Sequence, residues 1–178
     1  FGSNDISGAS SEAFFAKLSP NGVWQSAFAV GQGSLFDIIT DGDKAYVSGA
    51  LADFEFIVGE INELSGTFDW NAHGTGVTNN GITDIVLLND SNIGVAGEYQ
   101  DFMGGPSEVT FGNFSFDLEQ NGVHNSLFVG KVSLSGEWLW VNNVKADAWD
   151  FTSDLITDSD GNMYITGMIS EENQFGDL

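Results

Sequence analysis

Alternating oxygen-bearing side chains make the segment Asp158-Ser159-Asp160-Gly161-Asn162 the strongest metal-site candidate in this sequence. Oxygen ligands two residues apart, followed by a glycine, can wrap around a hard cation, and calcium binds about six to eight oxygens. The segment lacks the bidentate glutamate that usually completes a calcium loop. Asp158, Asp160 and Asn162 are therefore candidate calcium ligands. The alternative, which we favour, is a hairpin turn in which Asp and Asn bind backbone groups and glycine takes a positive φ.

Two earlier segments occupy the same position between predicted strands and repeat this chemistry. They are Asp41-Gly42-Asp43 and Asn89-Asp90-Ser91-Asn92. Asp41 and Asp43 are further candidate calcium ligands, and here the turn interpretation is favoured more strongly. Extracellular calcium sites are typically weak, with dissociation constants of about 10⁻⁴ to 10⁻³ M, which is sufficient in a calcium-rich medium such as seawater.

Aromatic residues suggest a second kind of site. Trp149 is flanked by carboxylates in Asp147-Ala148-Trp149-Asp150-Phe151, so Asp147, Trp149 and Asp150 are candidate ligand-binding residues. The other four tryptophans follow turn glycines at a repeated spacing, which favours packing between neighbouring structural units over an aromatic platform for sugar rings. They are Trp24, Trp70, Trp138 and Trp140.

Catalytic motifs are weak throughout the sequence. His73 and His124 are the two histidines, their spacing does not suit a shared metal, and the chain has no cysteine. No Gly-x-Ser-x-Gly segment is present to support a nucleophilic serine. The 26 acidic residues leave room for a pair of glycosidase carboxylates, but nothing distinguishes an acid from a base. We therefore predict no catalytic residues and no cofactor other than calcium.

The charge balance excludes several partners. The chain has 26 acidic residues against 4 lysines and no arginine, giving a net charge of −22. Nucleic acids and anionic membrane surfaces need Lys and Arg contacts, so we expect neither as a partner. No apolar stretch is long enough for a membrane span. Such a charge repels itself and is relieved by salt or divalent cations, which indicates a salty, marine medium.

Internal repetition determines the predicted architecture. A strand, a Gly turn and a Trp or Phe strand recur around Gly22, Gly66 and Gly136, and the first strand carries Lys in the first and third copies and Glu60 in the middle one. A second motif, the Asp-to-Gly motif, begins with Asp and ends with Gly in the segments 37–49, 84–97 and 154–167. The last two copies agree in spacing, with 18 residues from turn Gly to Asp and 13 from Asp to the final Gly. Repetition of this kind predicts a stack of similar units.

Hydrophobic alternation with a period of two predicts short strands joined by tight turns. The predicted strands are 13–19, 22–30, 37–40, 45–51, 56–62, 66–72, 82–88, 93–99, 127–133, 137–144, 153–157 and 163–169. We divide the single domain, 1–178, into repeat 1 (1–53), repeat 2 (54–101), an insert hairpin (102–125) around the segment 111–116, and repeat 3 (126–178). Phe1-Gly2, Phe111-Gly112 and Phe175-Gly176 match in phase, so the two ends are cut at equivalent points.

These repeated motifs resemble the seven-bladed β-propeller repeat of secreted bacterial proteins. The third copy carries the resemblance best, in Phe128-Val129-Gly130-Lys131-Val132, Gly136-Glu137-Trp138-Leu139-Trp140 and the segment 158–167. The middle copy departs from it, with Glu60 in place of the Lys and Gly94 in place of the Tyr. The resemblance implies an all-β fold of four-stranded antiparallel blades, about three in this chain, and a secreted or cell-surface location.

Propellers close with about four to eight blades, so roughly three blades imply either a piece of a longer propeller or self-association. We expect self-association, with a glycan or surface protein as another partner. The predicted function is a non-enzymatic extracellular or cell-surface interaction module for adhesion, assembly or glycan binding. The alternatives are a propeller enzyme acting on polysaccharide, and a structural subunit that assembles end to end through its matched termini.

Overall fold

The computed structural model describes residues 11–52, 54–76, 81–102, 105, 107–118, 123–146, 149–170 and 173–175. Every regular element in these ranges is a β-strand, and the paired strands are antiparallel, which confirms the predicted all-β class. In the same ranges, no helix is long and apolar enough to span a membrane. The strands are β1 (Glu12–Leu18), β2 (Trp24–Asp41), β3 (Lys44–Leu51), β4 (Phe54–Ile61), β5 (Phe68–Thr75), β6 (Ile82–Leu87), β7 (Asn92–Phe102), β8 (Glu108–Phe111), β9 (Phe114–Asp117), β10 (Val123–Ser133), β11 (Trp138–Ala146), β12 (Phe151–Thr157), β13 (Met163–Met168) and β14 (Asn173–Gln174).

The strands form three sheets. The first has the order β1-β2-β3-β4-β5-β8-β9, the second β14-β11-β10-β7-β6, and the third contains only β12 and β13. The twelve strands predicted from alternation all lie within or overlap these elements. The segment 111–116 forms the predicted extra hairpin, β8–β9.

Strand β2 belongs to two hydrogen-bonded ladders. Its first half, through Gln32, pairs with β1, and its second half, from Gly33, pairs with β3. Gly33 has a φ of 126°, and a Cβ there would overlap the carbonyl oxygen of Ala50, so only glycine fits. The β1–β2 hairpin packs against the rest of the first sheet through Phe15, Val47 and their neighbours.

Two groups of four strands repeat the same meander. The first group is the second half of β2 with β3, β4 and β5, and the second is β6, β7, β10 and β11. β12 and β13 repeat the first two strands of a group, and β1 with the first half of β2 repeats the last two. The repeat boundaries at residues 53 and 101 were drawn from sequence similarity. Each of the two complete four-stranded groups includes strands from both sides of one of these boundaries.

The register of the first two strands is the same in all three copies. The pairs Asp37↔Ser48, Asp84↔Ala96 and Asp154↔Thr166 each follow a bulge in the first strand. Each Asp-to-Gly motif ends with a glycine: Gly49, Gly97 or Gly167. This glycine faces a carbonyl oxygen of the bulged strand so closely that a Cβ would overlap it. The bulge therefore explains why these residue types recur at this spacing.

The main core lies between the two larger sheets. Phe56 and Phe111 of the first sheet pack against Phe128 of the second, with ring centroids 4.6 Å apart for Phe111 and Phe128 and 5.3 Å apart for Phe56 and Phe128. Burial of such aromatic side chains is the dominant favourable contribution to joining the sheets.

Two short strands cap the outer edges of these groups at matching positions. β8 pairs with β5 through Gly74↔Phe111, and β14 pairs with β11 through Lys145↔Gln174. By this register Phe175 corresponds to Phe111, as the sequence predicted; Phe1-Gly2 lies outside the described residues. The turn glycines Gly22, Gly66 and Gly136 all have positive φ, between 71° and 84°, as expected for tight hairpin turns.

Candidate functional site

A row of three aspartates, Asp37, Asp84 and Asp154, crosses the sheets and is the most distinctive polar feature of the structure. Each is the first residue of an Asp-to-Gly motif and lies in the first strand of its group. Asp37 Oδ2 accepts a hydrogen bond from the backbone N–H of Ile85 at 3.0 Å. Asp84 Oδ2 accepts one from the backbone N–H of Leu155 at 2.6 Å. The carboxylates of Asp37 and Asp84 therefore each bind the residue that follows the corresponding aspartate in the next group.

The electrostatics of the row concentrate at Asp84. Partial burial, followed by hydrogen bonding to Asp37, raises the pKa of Asp84 to about 7, and the N–H of Leu155 acts in the opposite direction. Asp154 contributes a smaller increase. Near neutral pH, Asp84 thus carries a proton in a substantial fraction of molecules. The sequence signal for this row was the Asp that recurs at the start of each Asp-to-Gly motif. The motif did not indicate that this side chain joins two sheets.

The first calcium candidate, Asp158, is fully engaged in a turn. Its Oδ1 accepts from the backbone N–H groups of Asp160 and Asn162, both at 2.9 Å. Its Oδ2 accepts from Asn162 Nδ2 at 2.8 Å and from the Tyr164 hydroxyl at 2.9 Å. These donors, led by the Asn162 side chain, lower the pKa of Asp158 to about 2. A carboxylate offers about four lone-pair positions, and four donors occupy them, so Asp158 fits the turn interpretation better than a metal.

The remaining calcium candidates are dispersed. Asp160 and Asn162 bind Asp158 through their backbone, and Asp41 and Asp43 flank the turn between β2 and β3. Within the part of the chain that the structure describes, no group of three or more acidic, His or Cys side chains is arranged to hold a metal ion. Calcium binding by Asp160, Asn162, Asp41 and Asp43 stays a prediction.

The candidate ligand site around Trp149 is divided between surface and interior. The Trp149 ring is 47% exposed and stacks on Phe151 with centroids 6.5 Å apart. Asp150 is buried, and its Oδ1 accepts from the Ser170 backbone N–H at 2.9 Å. Asp147 lies outside the described residues. The structure thus presents an aromatic pair on the surface, while the Asp150 carboxylate faces inward.

The tryptophans at the repeated phase bind protein groups. Trp70 Nε1 donates to Glu60 Oε2 and Trp138 Nε1 donates to the His73 carbonyl, each at 3.0 Å. Both rings pack against the main core. These contacts favour the packing interpretation of the repeated tryptophans over a sugar-binding platform.

Three lysines form ion pairs with turn or strand carboxylates. Lys44 Nζ lies 2.8 Å from Glu60 Oε2, and Lys131 binds Asp90. Glu60 and Lys131 correspond in the repeat, and each binds an opposite charge at or beside the turn between the first two strands of its group, so the charges of the two pairs are reversed. The charge change at Glu60 is therefore compensated by Lys44. Lys17, the third copy of the Glu60 position, binds Glu63.

Both ends of the stacked sheets expose apolar surface. An apolar groove of about 420 Å³ lies between the second sheet and β12–β13 and is lined by Leu127, Val129, Val144, Ile165 and Phe175 among others. At the other end, Phe14 and Ile38 are 61% and 51% exposed. Apolar surfaces of this kind are typical of contact sites rather than of free surface.

No protein-family model matches the chain, and no match is found among curated proteins or solved structures.

Proposed function

We propose that this chain is a non-enzymatic interaction module, secreted or displayed on a cell surface, and built from β-propeller blades. The four-stranded groups are the blades: two are complete, and β1–β2 and β12–β13 are complementary halves, giving about three in all. Meandering antiparallel groups that pack face to face, with the chain passing from the last strand of one to the first strand of the next, support this assignment.

The observation that carries a binding role is how the chain uses its carboxylates. Asp37 and Asp84 bind backbone amides of the next sheet, so these two carboxylates are used to join sheets. Apolar residues remain uncovered at both ends, including Phe14 and Phe175. A scaffold that uses these two carboxylates for internal contacts and exposes apolar ends is suited to contact with partners.

The net negative charge of the chain indicates the solution conditions in which it works. With a net charge of −22 and no arginine, the chain gains stability where salt screens its carboxylates. A salty, extracellular setting of marine bacteria fits this charge, and it fits the resemblance of the repeats. Glycans and surface proteins are the proposed partners, with the Trp149–Phe151 pair as the contact for a sugar ring.

One observation favours an enzyme acting on polysaccharide as the second candidate. Asp84, with its pKa raised to about 7 beside Asp37, has the protonation behaviour of a general acid. Glycosidases use two carboxyl groups of unequal pKa in this way. The hydrogen bond that each of these carboxylates accepts from a backbone amide favours the structural role.

Sedimentation with insoluble polysaccharides, combined with a reducing-end assay on the same samples, separates the two functions. We expect the wild-type chain to co-sediment with at least one polysaccharide without releasing reducing ends. Trp149→Ala should lose retention, and Asp117→Asn, a change at an exposed carboxylate on β9, should keep it. Release of reducing ends that Asp84→Asn abolishes would establish the enzyme instead.

A further inference from the structure

We infer that the open edge of β13 is completed by the β1–β2 hairpin of a second copy of this chain, and that the two copies exchange hairpins reciprocally. The inference rests on the proposed blade architecture and names the partner of its two ends. β12–β13 supplies the first two strands of a group and β1–β2 the last two, so the pair contains one complete group. Three sets of contacts within the chain indicate how the halves fit together.

The first is an aromatic anchor. Phe128, three residues before Lys131 on β10, is fully buried against Phe111 and Phe56. Phe14, three residues before Lys17 on β1, is its counterpart and is 61% exposed. The groove beside β13 contains Phe175, the counterpart of Phe111, and Leu127, the counterpart of Phe56. Phe14 of a second copy therefore fits this groove as Phe128 fits the main core.

The second is the continuation of the aspartate row. Ile85 and Leu155 are each 3% exposed, and their backbone N–H groups bind the aspartate of the preceding group. Ile38 holds the same position in the first group but is 51% exposed. Asp154 is the last aspartate of the row. Within its own chain, the Ile38 N–H donates to Asp37 Oδ1 at 2.7 Å. In the dimer, Asp154 of one copy replaces Asp37 as the acceptor for the Ile38 N–H of the other, with Ile38 covered as Ile85 and Leu155 are.

The third is charge complementarity. In both complete groups, a residue on the third strand binds an opposite charge at or beside the turn between the first two strands: Glu60 binds Lys44 and Lys131 binds Asp90. Lys17 occupies this third-strand position on β1, and Asp160 occupies the place of Asp90 in the turn before β13. Completing the group places Lys17 beside Asp160 of the second copy, with an opposite charge as in the other two pairs.

These contacts determine the register. In the second sheet, Gly97 pairs with Phe128 and Val95 pairs with Gly130. The same pairing places Gly167 opposite Phe14 and Ile165 opposite Ala16. Each copy both gives a hairpin and receives one, so two copies form a closed ring of six groups, within the range of about four to eight blades that propellers adopt.

Light scattering after size exclusion tests the assembly. We expect a particle of twice the 19.0 kDa chain mass, and Phe14→Ser should convert it to a monomer that keeps its β-sheet circular dichroism. Val23→Ser, a control at a similarly exposed apolar residue in the β1–β2 turn, should leave the dimer intact. A wild-type monomer at concentrations up to the millimolar range would overturn the inference.

Charge reversal tests the pairing partner. Lys17→Glu and Asp160→Lys should each weaken the dimer by at least tenfold, and the double variant should restore it. Glu63→Gln removes the contact of Lys17 within its own chain and should leave the dimer unchanged. Two weak single variants with no recovery in the double would overturn the pairing of Lys17 with Asp160.

Cysteine cross-linking tests the register, since the chain has no cysteine of its own. A mixture of Ala16→Cys and Ile165→Cys chains should form a disulfide-linked dimer on mild oxidation. A mixture of Ala16→Cys and Ile169→Cys, four residues away, should not; equal cross-linking in both mixtures would overturn the register. Polysaccharide retention by the Phe14→Ser monomer separates a failure of assembly from a failure of the proposed binding function.

Discussion

Asp84 accepts a hydrogen bond from the backbone N–H of Leu155 at 2.6 Å, although the two residues are 71 positions apart in the chain. Asp37 makes the corresponding bond to Ile85. Both bonds run between sheets rather than along a strand. The sheets are therefore joined by a repeated polar contact in addition to their apolar core.

Asp84→Asn should stabilise the protein above neutral pH. Because the folded-state pKa of Asp84 is about 7 and its unfolded value is near 3.8, protonation of this group favours the folded state. Its contribution to stability is complete below about pH 4 and is lost as the pH rises through 7. Asn keeps an oxygen for the Leu155 N–H and carries no charge. We expect a higher urea midpoint than wild type at pH 8 and no gain at pH 4.

A matched control separates this effect from the general charge of the chain. Asp117→Asn removes the same charge from an exposed position on β9. It should give a clearly smaller gain at pH 8 than Asp84→Asn. Equal gains in the two variants would show that net charge, rather than the contact with Asp37, determines the result.

Glu60→Ala should destabilise the first sheet. Glu60 is largely buried, accepts from Trp70 Nε1 and binds Lys44, so its removal leaves a tryptophan N–H and an ammonium without their acceptor. Loss of one partner of a buried hydrogen bond costs about 1–3 kcal/mol in the free energy of unfolding. Glu60→Gln retains an acceptor for Trp70 and should cost less. Urea denaturation followed by tryptophan fluorescence measures both, and equal losses would exclude a role for the bond to Trp70.

Phe128→Ala should reduce the free energy of unfolding by about 3–5 kcal/mol, because a fully buried ring leaves a cavity between the two larger sheets. Phe14→Ala, at the counterpart position, should leave the stability of the isolated monomer nearly unchanged, since this ring is largely exposed. Chemical denaturation of both variants at a concentration where the protein is monomeric provides the comparison. A large loss for Phe14→Ala would mean that its ring is already packed within its own chain.

Salt should stabilise the protein. At a net charge of −22, screening reduces repulsion among carboxylates by more than it weakens three ion pairs, so the thermal midpoint should rise with NaCl concentration. CaCl2 at matched ionic strength tests the calcium prediction. An additional rise with CaCl2 that Asp160→Asn removes would support a site at that turn, and an equal rise in both salts would exclude one.

Strands and turns were predictable because they depend on local chemistry. Alternation located the strands, and the turn glycines were recognised because few other residues tolerate positive φ. The row of Asp37, Asp84 and Asp154 was not recognised as a contact, since its bonds connect residues tens of positions apart. Periodicity shows which way a side chain points from its strand, but it does not show which sheet it meets.

The compensation at Glu60 was missed for a related reason. The departure of the middle copy from the repeat was visible in the sequence as a change from Lys to Glu. Its partner, Lys44, lies in a differently shaped turn 16 residues earlier, where the repeat pattern does not align. Similarly, the predicted calcium segment had the right residue types, but the four donors that occupy Asp158 became evident only from the folded turn.

The reversed signs of the Glu60–Lys44 and Lys131–Asp90 pairs affect how the chain avoids misfolding. Neighbouring repeats of similar sequence can exchange strands during folding and become trapped in the wrong arrangement. If β10 took the place of β4 beside β3, Lys131 would meet Lys44; if β4 took the place of β10 beside β7, Glu60 would meet Asp90. Both exchanges bring like charges together, so the reversed signs of the two pairs disfavour incorrect strand order.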